Sequence, residues 1–324
     1  MIALVTGATG FVGSQLCKGL IENGFAVRAF HRERSTTRAL NGVTASRIMG
    51  DILDCDSLRR AMRDVDLVFH VAARADYWRT DHPQLKRVII EGTHNVLKIG
   101  RELNIKRVIY TSSLAALGVP PKGELLTETH RFNETEKRWG YGFAKHCAEQ
   151  EVLQAVEDGL DCVIVNPSAV MGAGDLNQIG GALIVEMARR RLAVTPSGGM
   201  NVVHIADVVR GQIAAATDGK VGERYIIGGE NIWHRDLFRL IAQEIGTTPP
   251  RVVLPSALVN FVANITDAFS FLPLPINGSA LRQSTQQFFC DSSKAQHDLN
   301  LPAPLSAQQA VREAVTWYRS QKVF

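Results

Sequence analysis

Cysteine is scarce in this chain. There are five in 324 residues (Cys17, Cys55, Cys147, Cys162 and Cys290), an odd number without a C-x-x-C pair. That pattern excludes a disulfide framework and a cysteine zinc site, and it predicts reduced thiols in the cytoplasm, each there for packing. The nine histidines show no metal-ligand spacing, so no metal is expected. Excess charge is small, +4 overall with no basic stripe, which argues against nucleic acid as a partner. The opening MIALVTGATG lacks the basic start, apolar stretch and small-residue cleavage site of a signal peptide. Long apolar runs are missing as well. Segment 252–276 comes nearest, but Pro255, Asn260, Asn264, Asp267 and Pro273 break it, leaving no run of about 18 apolar residues to span a bilayer. Repeats and low-complexity tracts are absent.

The rest of the composition is that of an ordinary globular protein, 45% hydrophobic and 21% charged, in a length that fits one large domain or two lobes. In the first half, short apolar runs alternate with helix-period segments. Strands are predicted at 2–6, 26–30, 46–50, 67–72, 107–112 and 162–167, and helices at 11–23, 56–64, 83–104 and 141–157. Near-continuous apolar strands are buried on both faces, so the fold class is α/β with a doubly wound parallel sheet. After residue 168 proline and glycine interrupt more often. Helices are expected near 179–192, 206–217, 234–245, 256–271 and 306–320, with a strand at 224–228. The expected division is a dinucleotide-binding domain over 1–168, to which 202–229 returns, and a smaller helix-rich substrate lobe over most of 169–324. Segment 252–276 reads first as core packing of that lobe, and Arg189–Arg191 as a solvated helix end.

VTGATGFVGS (5–14) follows the first strand and opens the first helix, with Gly7, Gly10 and Gly13 three apart. Gly7 suits a tight turn, Gly10 a close approach of backbone to a pyrophosphate, and Gly13 close helix–strand packing. The helix start beyond them offers free N–H groups to phosphate. Thr9, Phe11 and Val12 complete the loop through backbone contacts or packing. The second strand ends in FHRERST (30–36), where Glu33 is flanked by Arg32 and Arg34. An acid at this point takes the ribose 2′-hydroxyl of NAD, whereas arginine accommodates a 2′-phosphate. NADP(H) is favoured, with NAD(H) as the alternative. Asp51, in GDILD (50–54) at the end of the third strand, is placed to accept from the adenine amino group.

WGYGFAK (139–145) puts Tyr141 and Lys145 four residues apart, on one face of a helix. YTSSLAALG (110–118) closes the fifth strand at its carboxyl end, where ligands sit in open parallel sheets. With HVAA (70–73), EGTHNVL (91–97) and NPSAV (166–170), the ordered set resembles the extended short-chain dehydrogenase/reductase superfamily over essentially the whole chain. Within it, HVAARADYW, YTSSLAALGV, VIVNPSAVMG, ERYIIGGEN and FFCDSSKA are most similar to the dihydroflavonol-4-reductase-like branch, which includes bacterial proteins labelled hopanoid-associated sugar epimerases.

The resemblance implies an NAD(P)-dependent oxidoreductase in which Tyr141 gives a proton to a carbonyl oxygen as the nicotinamide delivers hydride, or the reverse. A phenol of ordinary pKa near 10 needs the Lys145 cation and the oxidised ring to stabilise its phenolate. Matching to the family's serine pattern selects Ser113 to hold the substrate oxygen, with Ser112 as the fallback. Ile52, Ala72, Asn166 and Ser168 are implied along the cofactor, with Lys145 also on the nicotinamide ribose. Asn95 is implied as structural support, and His70 and His94 read as structural histidines. Met200 falls where sugar-nucleotide enzymes carry a diphosphate-gripping arginine. It and His204, a pocket wall or a core residue, are the substrate-side candidates. Met200 favours reduction of a small or medium apolar ketone or aldehyde. The alternatives are a nucleotide-sugar epimerase or dehydratase that retains NAD and, less favoured because the tyrosine and lysine are both present, a non-enzymatic redox sensor. Many relatives dimerise through the helices that correspond to 83–104 and 141–157.

Overall fold

The apolar runs of the first half satisfy their backbones by pairing with one another in parallel. In a computed structural model that describes residues 1–74, 83–268 and 278–324, they form β1 (Ile2–Thr6), β2 (Ala26–His31), β3 (Ser46–Met49), β4 (Leu67–His70), β5 (Arg107–Thr111) and β6 (Cys162–Pro167). Between them run α1 (Phe11–Glu22), α2 (Cys55–Met62), α3 (Pro83–Lys86), α4 (Gly92–Glu102) and α5 (Glu136–Glu157). Side chains alternate across the sheet. Leu4, Val68 and Val108 face α2, α4 and α5 through Leu58, Val96, Ala148 and Val152. Ala3, Val5, Phe69 and Ile109 face α1 through Leu16, Cys17 and Leu20.

Beyond β6 the chain makes β7 (Ala169–Met171), α6 (Ala182–Ala188), β8 (Val194–Pro196) and β9 (Gly199–His204). It then returns through α7 (Ile205–Thr217), packed beside α1, to β10 (Arg224–Ile227), which pairs with β6. The large sheet therefore runs β3-β2-β1-β4-β5-β6-β10, parallel throughout. Strand order reverses between β1 and β4, the point at which a doubly wound sheet opens a crevice for ligand.

The remaining segments are β11 (Glu230–Trp233), α8 (His234–Ile245), β12 (Val252–Leu254), α9 (Ser256–Ala268), α10 (Gly278–Thr285), β13 (Gln287–Phe288), α11 (Ser293–Asp298) and α12 (Ala307–Ser320). β9 pairs antiparallel with β11, and its other edge takes β13 and β7 in parallel. β8 and β12 form a separate parallel pair. A further core joins α6, α8 and α12 through Val185, Ile241, Val311 and Val315.

Several elements differ from the sequence expectation. The helix expected at 141–157 begins at Glu136 and kinks at Trp139 (φ −142°, ψ 42°). The one expected at 83–104 contains a π-helical turn at Arg87–Glu91, and that near 179–192 is confined to Ala182–Ala188. Residues 269–271 of the helix expected at 256–271 lie outside the described residues. Core packing does not describe α9, where among the described side chains only Val259 and Ala263 are buried and Phe261 is 61% exposed. Among the described residues no helix is long and apolar enough to cross a membrane, and no cluster of His, Cys, Asp and Glu is placed to hold a metal.

Candidate active site

A cleft of about 1150 Å³ opens along the carboxyl ends of the large sheet. Its floor at β1 is the glycine turn. Gly7 has φ +67°, and a Cβ there would lie 2.7 Å from the Ala72 backbone. A Cβ on Gly13 would lie 2.2 Å from the Gly7 carbonyl oxygen, a contact no side chain tolerates. Glycine is therefore required at both positions. α1 starts at Gly10 with no side-chain cap and no acid in its first turn, so its first N–H groups stay open to an anion. Thr9, Gly10, Phe11, Val12 and Ala72 line this part. The cradle fits a pyrophosphate.

At the β2 end the lining is Arg32, Ser35 and Thr36, together with Asp51 and Ile52 from the end of β3. Arg32 is exposed there, and Glu33 does not reach the cleft. Asp51 Oδ1 accepts from the Leu53 N–H (3.0 Å), which fixes the carboxylate within its turn.

α5 carries Tyr141, Lys145 and Glu149 on one face, each four residues after the last. Tyr141 is only 6% exposed and lines the cleft. Lys145 is deeper; its Nζ donates to the Thr111 carbonyl (2.7 Å) and lies over the Tyr110 ring. Burial pushes the Lys145 pKa down to about 7, against the opposing attraction of Glu149. Glu149 is fully buried. Its Oε1 accepts from Ser112 Oγ (2.5 Å) and Asn166 Nδ2 (2.6 Å), and Arg224 Nη2 lies 2.9 Å from Oε2 as an ion pair without hydrogen-bond alignment. Asn166 Nδ2 also donates to the Ser113 carbonyl (3.0 Å). The two serines, both in the lining, are bonded differently: Ser112 Oγ donates to Glu149, whereas Ser113 Oγ accepts from the Ala115 N–H (3.2 Å).

Past Tyr141 the lining changes character. Trp139, Met171, Ile179, Leu183, Pro196, Met200, Phe238 and Phe288 surround this end, with Asn177, Asn201, His234, Gln283 and Ser284 as its polar side chains. Trp139 stacks on Phe288 at 5.1 Å and 13°. Burial lowers the His234 pKa to about 4, leaving the ring neutral near pH 7. Among the described residues the charged members of the lining other than Lys145 (Arg32, Asp51, Arg74 and Arg87) all precede residue 90.

Comparison with known proteins agrees with this geometry. Residues 3–228 match the model of the NAD dependent epimerase/dehydratase family. The chain belongs to that family. It is 35% identical to a Synechocystis sp. protein named "Putative dihydroflavonol 4-reductase", over 98% of this chain and 94% of that one. It is 32% identical to "Sterol demethylase protein B" of Methylococcus capsulatus, over 99% of both. The crystal structure of gox2253 superimposes with a TM-score of 0.90 at 35% identity, covering 100% of this chain and 99% of that one. The protein is thus an NAD(P)-dependent oxidoreductase of the extended short-chain dehydrogenase/reductase type, with the fold of that superfamily.

Two residues assigned to the site from sequence sit elsewhere. His204 does not line the cleft; its Nδ1 accepts from the Ala206 N–H (3.0 Å) at the start of α7, and its Nε2 pairs with Glu313 (2.9 Å). A short loop before a helix recruits its ring as a cap. Asn166 lies behind the lining, its amide spent on Ser113 and Glu149. Ser168 does reach the cleft, with Oγ donating to Asn201 (2.7 Å). His70 is held between Thr6 Oγ1 (2.8 Å) and Thr93 Oγ1 (3.0 Å), and burial first, the Lys145 charge second, push its pKa down to about 3. Asn95 Nδ2 donates to the Ile52 carbonyl (3.0 Å), and His94 pairs with Glu151 at the surface. Sequence reasoning missed Glu149, although its spacing from Lys145 on an otherwise inward helix face was a signal. It also missed Ser35, Thr36 and Phe288, for which the sequence holds none.

Proposed function

We propose that the protein is an NADPH-dependent reductase of a ketone or aldehyde on a small or medium apolar substrate. The observation that carries this is the cleft lining past Tyr141, where Met200, Phe238, Trp139 and Phe288 stand. A nucleotide sugar brings a diphosphate, whose desolvation an apolar wall does not offset. Arg32, Ser35 and Thr36 at the end of β2 support the 2′-phosphate form of the cofactor. The glycine turn and the open start of α1 hold the pyrophosphate, and Asp51, Ile52 and Ala72 border the adenosine.

When bound, the nicotinamide supplies the hydride. Tyr141 donates its proton to the carbonyl oxygen, which becomes the alcohol. Ser113 hydrogen-bonds the same oxygen and fixes its distance from the phenol. Lys145, in its charged form, stabilises the phenolate left behind. Trp139 and Phe288 exclude water from the far side and present an aromatic face to the substrate body.

A panel of hydrophobic ketones, run beside UDP- and GDP-sugars and followed by nicotinamide absorbance and product analysis, tests this reading. Stoichiometric loss of NADPH with a ketone is the expected result. Conversion of a sugar nucleotide without net cofactor use, or NAD retained through purification, would replace it with the epimerase or dehydratase reading.

A further inference from the structure

Among the described residues, seven of the large apolar side chains left in solvent lie on β8, β12 and α9. Val194 and Val252 are register partners at the start of β8 and β12; they are 38% and 56% exposed, and Val253 is 44% exposed. β12 leads through Pro255 into α9, where Leu258, Phe261, Val262 and Ile265 are 48%, 61%, 40% and 42% exposed. At 3.6 residues per turn these four positions fall within a stripe about 100° wide. Arginines precede both strands: Arg189, Arg190 and Arg191 before β8, and Arg251 directly before β12, all of them exposed. Because the strands are parallel, these cations enter at the same end of the pair. Arg189 and Arg191 make only loose contacts to Glu186, at 3.6 and 3.5 Å. Residues 187–206 and 246–266 contain no acid. α10, which packs on α9, contributes Ala280, Gln283 and Ser284 to the cleft.

We propose that β8, β12 and α9 form a surface that docks the protein peripherally on an anionic lipid bilayer, with the α9 stripe in the acyl boundary and the arginines on the headgroups. Apolar contact and negative charge are the two things this face lacks, and an anionic bilayer supplies both. A second copy of the chain seated on the same face would bring the arginines of both copies together with no acid in either strip to pair them. Docking leaves the substrate end of the cleft beside the membrane, so that an apolar carbonyl compound could enter from lipid. That consequence rests on the reductase reading; the docking does not.

The full chain, without cofactor or ketone, is sedimented with vesicles of phosphatidylcholine alone and of phosphatidylcholine mixed with phosphatidylglycerol. The mixed vesicles should carry down more protein, roughly tenfold or better, and high salt should reverse the gain. Phe261→Glu should abolish binding, and Arg190→Glu combined with Arg251→Glu should remove the preference for anionic lipid. These side chains are exposed, so thermal melts and turnover of a water-soluble ketone should stay unchanged. Pelleting at background level with both vesicle types would overturn the proposal, as would a self-associated species dissolved by Phe261→Glu. Loss of ketone turnover alone would count against the reductase and leave the surface standing.

Discussion

A buried lysine is an expense that a structural residue would not incur. Lys145 has its pKa pushed down from 10.5 to about 7 by burial, so between those values the folded state holds fewer protons than the unfolded one. Stability then rises with pH through that window, and the full penalty is felt below about 7. Lys145→Met should therefore melt higher than the parent near pH 6, with the gap closing toward pH 9, while turnover is lost. Differential scanning calorimetry across pH checks this, and a variant that melts lower at every pH would contradict it. Tyr141→Phe removes only the proton, so cofactor binding should survive while kcat falls by about 10²–10⁴-fold. Glu149 acts at one remove, by holding Ser112, Asn166 and Arg224 and by favouring the Lys145 cation. Glu149→Gln keeps an acceptor for Ser112 but removes the ion-pair partner of Arg224, which keeps the Glu128 carbonyl (3.4 Å) and is 20% exposed; the cost should stay below the roughly 3–5 kcal/mol of a broken buried pair. It should also lower the Lys145 pKa further, moving the fall of kcat with rising pH to lower pH. A pH profile unchanged from the parent would leave Glu149 a purely structural residue.

Most strands of the first half were legible because each is a short apolar run stopped by a glycine or polar turn, and burial on both faces favours pairing them in parallel; β3, at the sheet edge, is the exception, with Ser46, Arg47 and Met49 exposed. The glycine turn was legible for a stronger reason, since its spacing encodes contacts that only a missing Cβ permits. Gly13→Ala would drive a methyl to within 2.2 Å of the Gly7 carbonyl oxygen, forcing α1 off β1. The expected outcome is a lower melting temperature together with a cofactor affinity reduced by tenfold or more, measured by calorimetry. Retention of both would mean that the turn relaxes more freely than its packing suggests. In the second half, β7, β8 and β13 are two or three residues long and exist only because β9 or β12 lies alongside; such strands carry no period of their own. The kink at Trp139 was hidden for a related reason. It depends on Trp139 Nε1 reaching the Ala115 carbonyl (3.3 Å) and on Gly142 having no Cβ, which would lie 2.2 Å from the Trp139 ring. Both are tertiary facts. The different bonding of Ser112 and Ser113 has the same character, since it turns on a glutamate 37 residues from Ser112.

For the whole molecule, the alternation of strand and helix was enough to anticipate a doubly wound sheet, and the glycine turn located its ligand crevice. The sequence suggested only that 202–229 returns to the first domain; that β10 pairs with β6 and α7 packs on α1 are tertiary facts, which no local pattern records. Cofactor choice is also read best at this scale, because a ligand that binds only the folded chain stabilises all of it by RT ln(1 + [L]/Kd). If Arg32, with Ser35 and Thr36 beside it, holds the 2′-phosphate, NADPH should bind more tightly than NADH by the roughly 1.5–3 kcal/mol of a charge-assisted contact, about 10- to 150-fold. At equal concentrations well above both dissociation constants, NADPH should then raise the melting temperature further than NADH by that same energy difference. Arg32→Asp puts a carboxylate at the end of β2, which repels the phosphate and accepts from a ribose hydroxyl, so the order of the two shifts should reverse while the ligand-free melting temperature stays put. Arg32 is exposed and forms no part of either core, which makes that last expectation a control on folding. Equal shifts from the two nucleotides in the parent protein would take the 2′-phosphate role away from Arg32 and leave no preference for NADP(H).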